Sequence, residues 1–241
     1  MTEPRIRLLI HGQLHLVAAV ASAPRSDLGA LSVLPPSQLV HAPAFDVAVD
    51  FSAPSGLRAL GDVCVVRGAA LVSGTTGLDE AAQAALTSWS SRIPVMWSAN
   101  FSLGIALLTR LVRQAAAALP DWDCEVVEVH HQRKKDAPSG TALKLGESVA
   151  AARGVDLSAV ARHGREGVSA PRQFGEIGFH ALRGGDVVGD HRVNFFAASE
   201  HIELAHHAAS RDVFAHGALK AARWLARQRP GRYSLDDLLD L

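Results

Sequence analysis

The densest group of chemically active side chains lies in residues 130–141, which read His-His-Gln-Arg-Lys-Lys-Asp-Ala-Pro-Ser-Gly-Thr. Two histidines end a strand-like segment, basic residues follow, and the Ser139–Thr141 turn opens a predicted helix. The free N–H groups of a helix N-terminus bind anions, and Lys134 adds a positive charge suited to a carboxylate. His130 is able to donate a proton near neutral pH. The pattern therefore favours a site for a small carboxylic acid.

A structural role stays open for the same residues, as a solvated basic strand end followed by an ordinary helix cap. A zinc site at His130 and His131 is disfavoured because neighbouring residues on a strand point to opposite faces. The same argument favours a structural role for His206 and His207. Only the twelve histidines favour a metal-dependent hydrolase, and no metal site is predicted.

The composition limits the class of protein. The 241 residues include 24 Lys+Arg and 24 Asp+Glu, and this balance argues against a nucleic-acid partner. Apolar residues make up 48% and charged residues 20%, which is typical of a globular chain with a sizeable core. No apolar window predicts a membrane-spanning helix and the first residues do not resemble a signal peptide, so we expect a cytoplasmic protein. Cys64 and Cys124 lie in apolar, strand-like contexts and are predicted to be buried thiols.

Strands and helices alternate in the first part of the chain. Strands are predicted at 6–10, 14–20, 31–34, 45–51, 69–73 and 93–97, and helices at 79–90 and 102–118. This order predicts an α/β domain with a doubly wound, mostly parallel sheet, which binds ligands beyond the carboxyl ends of its strands. Three loops fall there: Ser52–Pro54, Gly74–Gly77 and Ser98–Phe101.

The pattern changes after Cys124. Strands are predicted at 124–131, 177–183, 189–196 and 201–206, and helices at 141–153 and 213–227. Gly184-Gly185-Asp186 predicts a hairpin-type turn, and Ser234 is a possible N-cap near the end of the chain. These elements predict an α+β second domain with an open antiparallel or mixed sheet.

One connection contradicts the parallel sheet. The first predicted strand ends near His11 and the second begins near Leu14, so only Gly12 and Gln13 lie between them, whereas a parallel pair needs a crossover of about a dozen residues. Either the sheet starts unusually or a crossover helix is absent. The connection near Gly29-Ala30 is also short.

The sequence resembles the dihydrodipicolinate reductase family of lysine and diaminopimelate biosynthesis. The most specific match is Glu128–Thr141, and the resemblance covers about residues 45–241. Further matching motifs follow in the family's order: Val49–Ser52, Gly74–Gly77, Ala99–Ser102, Arg183–Gly189, Ser210–Arg211 and Asp237–Leu241.

The resemblance implies an oxidoreductase that uses NADPH or NADH to reduce dihydrodipicolinate, formed from 4-hydroxy-tetrahydrodipicolinate, to tetrahydrodipicolinate. It implies a Rossmann-like dinucleotide-binding domain at 1–101, joined by 211–241. Residues 102–210 would bind the dicarboxylate substrate and form a homotetramer, with neither nucleic acid nor membrane as a partner.

The resemblance also assigns the residues of the site. It makes His130 the proton donor and Lys134 the second catalytic residue. Substrate contacts fall on His131, Ser139, Gly140 and Thr141. Cofactor contacts fall on Gly12, Gly74, Thr75, Thr76, Ser98, Ala99, Asn100 and Phe101.

The chain departs from the family at its start. The family has a strand, a glycine-rich turn and a helix that bind the pyrophosphate, whereas here only Gly12 is present. We therefore expect that the sequence omits a segment between Gly12 and Gln13. A true deletion would favour the alternative, a cofactor-less relative that binds dicarboxylates or only assembles. Ala21 and Ser22 stand where a ribose-binding residue is expected, and Arg25 slightly favours NADPH.

Overall fold

The computed structural model describes residues 7–11, 15–21, 31–168 and 170–240. The chain forms two compact units, residues 1–101 with 214–241 and residues 102–213. In the described part, the strands are β1 (Arg7–His11), β2 (His15–Val20), β3 (Val33–Leu34), β4 (Val47–Asp50), β5 (Ala70–Ser73), β6 (Pro94–Trp97), β7 (Asp123–His130), β8 (Ala161–His163), β9 (Ile177–Arg183), β10 (Gly189–Phe196), β11 (His201–Ala208) and β12 (Gly231–Tyr233). The helices are α1 (Pro54–Arg67), α2 (Glu80–Ser90), α3 (Leu103–Ala118), α4 (Gly140–Ala152), α5 (Leu157–Val160), α6 (Asp212–Leu225) and α7 (Leu235–Leu239), with a 3-10 helix at Pro36–His41.

The first unit contains a seven-stranded sheet in the order β12-β6-β5-β4-β1-β2-β3. The α/β prediction is confirmed, and β4, β5, β6 and β12 are parallel neighbours. The sheet is mostly parallel as predicted, since β2 and β3 are parallel as well, but β1 runs antiparallel to both β2 and β4. Three residues separate β1 from β2, and so short a connection allows only an antiparallel pair.

Helix α1 is an element that the sequence interpretation missed. Pro54 is its first residue, where a missing N–H and a fixed φ are tolerated, and Gly68 ends it with φ +66°. Leu57, Leu60 and Cys64 on this helix are fully buried in the core of the unit. Cys64 is therefore a buried free thiol, as expected, but it lies on a helix and not on a strand.

The second unit contains a five-stranded mixed sheet in the order β11-β10-β7-β9-β8. Strand β7 is central, antiparallel to β10 and parallel to β9. Its residues alternate between half-buried and buried, and the buried face packs against α3 and α4 in one apolar cluster. Cys124 is on that face and is also a free thiol. The mixed sheet agrees with the α+β prediction.

The predicted hairpin turn at Gly184-Gly185-Asp186 is wrong. Strands β9 and β10 do not pair with each other but flank β7 on its two sides. The two glycines instead close the end of β7, since Gly184 N–H donates to the His130 carbonyl at 3.0 Å and Gln132 N–H donates to the Gly185 carbonyl at 3.1 Å. The turn thereby fixes the segment that follows His130.

Candidate active site

The buried face of β7 places Glu128 and His130 side by side. Residues two apart on a strand point to the same face, so both side chains share the face of β7 that packs against α3 and α4. Glu128 is 1% exposed and His130 is 9% exposed. The carboxylate of Glu128 contacts Nδ1 of His130 at 2.5 Å. The predicted proton donor is thus held by a buried carboxylate.

Two other groups donate to Glu128, through three hydrogen bonds. The guanidinium of Arg183 on β9 binds both carboxylate oxygens at 2.8 Å, and the backbone N–H of Ser139 donates to one of them at 3.0 Å. Burial alone would raise the pKa of Glu128, but the hydrogen bonds from Arg183, His130 and Ser139 hold this pKa below its ordinary value. Glu128 is therefore an anionic centre that joins three segments of the unit.

Ser139 is the N-cap of α4. Its hydroxyl oxygen accepts from Ala142 N–H at 3.2 Å, and the helix continues from Gly140 for 13 residues. Gly140 is exposed and Thr141 is half-buried at the open end of the helix. The N-terminal end of such a helix favours an anion because of its dipole and its free N–H groups. The three residues predicted to hold a substrate carboxylate therefore share one helix end.

His191 on β10 completes the buried group. It lies opposite Glu128 in the strand register, its Nε2 is 3.2 Å from the Ser139 hydroxyl, and its ring centre is 5.1 Å from that of His130. Burial, together with the nearby His130, lowers the pKa of His191 to about 4. His191 is therefore neutral near pH 7 and adds no positive charge beside His130.

Lys134 and His131 lie in the turn between β7 and α4. Nζ of Lys134 is 2.9 Å from the carboxylate of Asp136, and the Lys134 side chain is 21% exposed. The hydrogen bond from Lys134 lowers the pKa of Asp136. His131 is half-buried, and its Nδ1 is buried without a hydrogen-bond partner.

In the first unit, the loops after β4 and β5 are joined through Asp50. This buried carboxylate accepts hydrogen bonds from the hydroxyls of Ser52, Ser73 and Thr75 at 2.5, 3.0 and 2.7 Å. The N–H of Gly74 donates to the Asp50 carbonyl at 2.7 Å. Asp50 thus fixes Gly74 and Thr75, two of the predicted cofactor residues.

The absence of a side chain at Gly74 allows the Phe51 ring to pack closely against the backbone of the turn. A Cβ atom at this position would lie 2.2 Å from the Phe51 ring, so the ring occupies the space of a side chain. Thr76 is exposed in the same loop.

The loop after β6 holds the remaining cofactor residues. The Ser98 hydroxyl donates to the Asn100 carbonyl at 2.7 Å, Ala99 is exposed and Phe101 is 1% exposed. Gly217 of α6 packs directly on the Phe101 carbonyl.

Of the predicted cofactor residues, Gly12 lies outside the described residues. So do Ser22 and Arg25 at the expected ribose position, and Gln13 and the Gly29-Ala30 pair at the short connections. Ala21 is described and is buried. Sequence reasoning also missed four residues that hold the predicted site residues in place: Asp50, Glu128, Arg183 and His191. All four stood inside or beside the matching motifs, and a charged residue or histidine in an apolar strand segment was the available signal.

Comparison with known proteins decides the family. A family model described as the N-terminus of dihydrodipicolinate reductase matches residues 7–101, and one described as the C-terminus of that enzyme matches residues 104–239. The chain belongs to the dihydrodipicolinate reductase family. Membership confirms the predicted reductase of lysine and diaminopimelate biosynthesis at the level of the family and favours it over the cofactor-less alternative.

Two curated relatives named 4-hydroxy-tetrahydrodipicolinate reductase illustrate the match. The protein of Xanthomonas campestris pv. campestris (strain B100) is 42% identical over 258 residues, which cover 99% of this chain and 100% of the relative. That of Stenotrophomonas maltophilia (strain R551-3) is 44% identical over 259 residues, again 99% and 100%. With 258 aligned positions against 241 residues, at least 17 internal positions have no counterpart in this chain. This shortfall agrees with an omitted segment, whose place after Gly12 stays a prediction.

A solved structure shares the fold of this family member. The dipicolinate-bound dihydrodipicolinate reductase from Paenisporosarcina sp. TG-14 superposes with a TM-score of 0.69 at 23% identity, covering 88% of this chain and 80% of that one. Among the described residues, no helix has the length and apolar character needed to span a membrane. The same residues contain no group of three or more His, Cys, Asp or Glu side chains placed to hold a metal ion.

Proposed function

We propose that the chain catalyses the NAD(P)H-dependent reduction of dihydrodipicolinate, formed from 4-hydroxy-tetrahydrodipicolinate, to tetrahydrodipicolinate. The observation that carries the proposal is the single carboxylate, Glu128, that binds both His130 and the N-cap residue of α4. This arrangement puts a proton donor beside a site for an anion, and a cyclic dicarboxylate that accepts a proton needs both.

Substrate binding falls to the start of α4 and to the turn before it. The N–H groups of the first helical turn and the hydroxyls of Ser139 and Thr141 bind one carboxylate, where Gly140 leaves the approach open. Lys134 supplies the positive charge, and His131 contacts the ring. Lys134 leaves Asp136 for the substrate, since an exposed ion pair is held by about 1 kcal/mol or less.

Proton transfer falls to His130. Its Nδ1 is engaged with Glu128, so Nε2 is the ring nitrogen that delivers the proton. Neutral His191 and the Glu128–Arg183 pair surround the ring without adding a net positive charge. The residues bring proton donor and substrate into a fixed geometry, which lowers the entropic part of the barrier.

NAD(P)H supplies a hydride when it is bound. Its nicotinamide end fits the loops after β5 and β6, where Gly74, Thr75, Thr76 and Ser98–Phe101 offer backbone and hydroxyl groups. Its pyrophosphate end does not fit the described residues, because β1 and β2 form an antiparallel pair where the family has a strand, a glycine-rich turn and a helix. A preference for NADPH through Arg25 stays a proposal that competition between the two cofactors tests.

The test of function is the oxidation of reduced nicotinamide with freshly generated substrate. We expect turnover by the wild-type chain, and a fall in kcat of about 10²- to 10⁴-fold in His130→Ala, which removes the proton donor. Lys134→Ala should raise KM and lower kcat. Circular dichroism should show that both variants keep the fold. Turnover like that of the wild type in both would overturn the site assignment.

The alternative function is a cofactor-less relative, and the antiparallel β1–β2 pair favours it. Calorimetry with NADPH separates the two, because this relative binds a dicarboxylate but not the cofactor. If the wild-type chain lacks turnover, inserting a glycine-rich turn and helix of the kind expected for the family between Gly12 and Gln13 should restore it. Restored turnover would assign the defect to the omitted segment alone.

A homotetramer formed by the second unit is the proposed assembly. The face of its sheet opposite α3 and α4 carries exposed apolar side chains, among them Leu182 and Phe196. Light scattering after gel filtration tests it: we expect four times the chain mass, and a smaller mass in Phe196→Glu. A cytoplasmic location also stays a prediction.

A further inference from the structure

We propose that Glu128 is a positioning residue that orients His130 for proton transfer and couples it to the N-terminus of α4, an inference that rests on the proposed function. One carboxylate oxygen contacts Nδ1 of His130 at 2.5 Å, and the other accepts the Ser139 N–H at 3.0 Å. A shift of the helix end that holds the substrate would therefore also shift the ring that delivers the proton.

Glu128 is itself held in one orientation. Arg183 binds its two oxygens with two guanidinium nitrogens, each at 2.8 Å, in the planar two-point geometry that restricts rotation of a carboxylate. Arg183 in turn donates to the backbone carbonyls of Asp136 and Leu182, both at 2.6 Å. With 1% of its surface exposed, Glu128 has little access to water as a substitute partner.

This arrangement determines how His130 works. A carboxylate at Nδ1 keeps a proton on that nitrogen and stabilises the doubly protonated ring, which is the form that donates from Nε2. Gly189 of β10 lies beside Nε2, and a Cβ atom there would be 3.0 Å from it. The absence of a side chain at residue 189 thus leaves the transferring atom accessible.

The charges around His130 come from every neighbouring element. They are Glu128 on β7, Arg183 on β9, His191 on β10 with His206 of β11 beyond it, and Lys134 and Asp136 in the turn before α4. His191 is neutral near pH 7, and Lys134 is paired with Asp136. Glu128 is therefore the charged group in direct contact with the ring.

Glu128→Gln is the decisive variant, because it keeps the shape and an oxygen for the Ser139 N–H while it removes the charge. We expect kcat to fall about 10- to 100-fold, with KM changed by less than about threefold. The alkaline limb of the profile of kcat against pH should move to lower pH. The matched control is Glu125→Gln on the opposite face of β7, where kcat and the profile should stay within about twofold of the wild type.

Nitrogen NMR of the histidine rings gives a readout that does not depend on turnover. In the wild-type protein without substrate, neutral His130, assigned by the signal lost in His130→Ala, should carry its proton on Nδ1. A wild-type chain without turnover would refute the proposed function, while this measurement would still decide the role of Glu128. A proton on Nε2, or a Glu128→Gln variant with the kcat and pH profile of the Glu125→Gln control, would overturn the proposal. If Glu128→Gln does not fold, Arg183→Lys replaces it, with a smaller fall in kcat expected.

Discussion

Glu125 and Glu128 lie on the same strand, β7, and both bind arginine and histidine, yet they face opposite sides of the sheet. Glu125 contacts Arg165 at 2.9 and 3.2 Å, Arg172 at 3.1 Å and Nε2 of His180 at 2.8 Å. Its side chain is 15% exposed, against 1% for Glu128. The partners are chemically alike, so the difference lies in burial and in what else each carboxylate contacts.

The comparison shows that a perturbed ion pair does not by itself mark an active site. Burial would raise the pKa of both carboxyls, and in both the arginine hydrogen bonds lower it below its ordinary value. Only Glu128 also accepts a backbone N–H at a helix N-terminus, that of Ser139. A carboxylate that joins a histidine to an anion-binding helix end has a use in catalysis, whereas one that joins side chains of strands and loops stabilises the sheet.

Replacing each of the two glutamates by alanine should give the largest difference between the two sites, in the free energy of unfolding. Glu128→Ala leaves Arg183, His130 and the Ser139 N–H without their buried partner, and we expect a loss of about 3–5 kcal/mol in the free energy of unfolding. Glu125→Ala leaves arginines that water can reach, so we expect about 1 kcal/mol. Urea unfolding near pH 7 measures both. Equal losses would mean that the two pairs differ only in position.

The sequence predicts the strand and the helix start around Glu128, but not which side chains bind this carboxylate. The alternation within residues 124–131 predicts a strand, and the Ser139–Thr141 turn predicts a helix start. It does not tell that Arg183, more than fifty residues away in the chain, reaches Glu128. That contact depends on β9 lying parallel to β7, whereas the Gly184-Gly185 turn had predicted a hairpin with β10.

The topology of the first unit shows the same limit. The strand and helix pattern predicts the α/β class, and the short link at Gly12-Gln13 identifies the place where a parallel crossover fails. The antiparallel pairing of β1 with both its neighbours is the consequence. Asp50 went unnoticed because its use depends on Ser73 and Thr75 from the next strand and loop.

The free energy of unfolding should also depend on pH, through His191 beside His130 and through Glu128 itself. The pKa of His191 falls from 6.5 to about 4 in the folded chain, so the unfolded chain binds its proton first as the pH drops. The stability that depends on neutral His191 is complete above pH 6.5 and is lost as the pH falls towards 4, by about 3 kcal/mol in all. Because the pKa of Glu128 is lowered from 4.5, its contribution is lost only below that value.

His191→Asn is the variant that tests this window. It removes the titrating ring and keeps a group that can reach the Ser139 hydroxyl. Urea unfolding at several pH values between 7 and 4.5 should show a slope in the wild type that is much reduced in the variant. The same slope in both would contradict the assignment to His191.

Two glycines should give the smallest of these differences. Gly178 lies against Glu125, and Gly189 lies against His130, which Glu128 holds. A Cβ atom at Gly178 would lie 1.7 Å from the Glu125 carboxylate, and one at Gly189 would lie 3.0 Å from Nε2 of His130. Gly178→Ala should push the flexible Glu125 side chain away from Arg165 and His180, with a loss of about 1 kcal/mol in stability and an unchanged kcat. Gly189→Ala should change stability by less than this and lower kcat about tenfold, since the added methyl group crowds the atom that transfers the proton. Unfolding and steady-state kinetics on both variants would reveal the crossed pattern, with stability changed on one face of the sheet and turnover on the other. An equal effect of both substitutions on kcat would show that the two faces of β7 do not differ in their relation to catalysis.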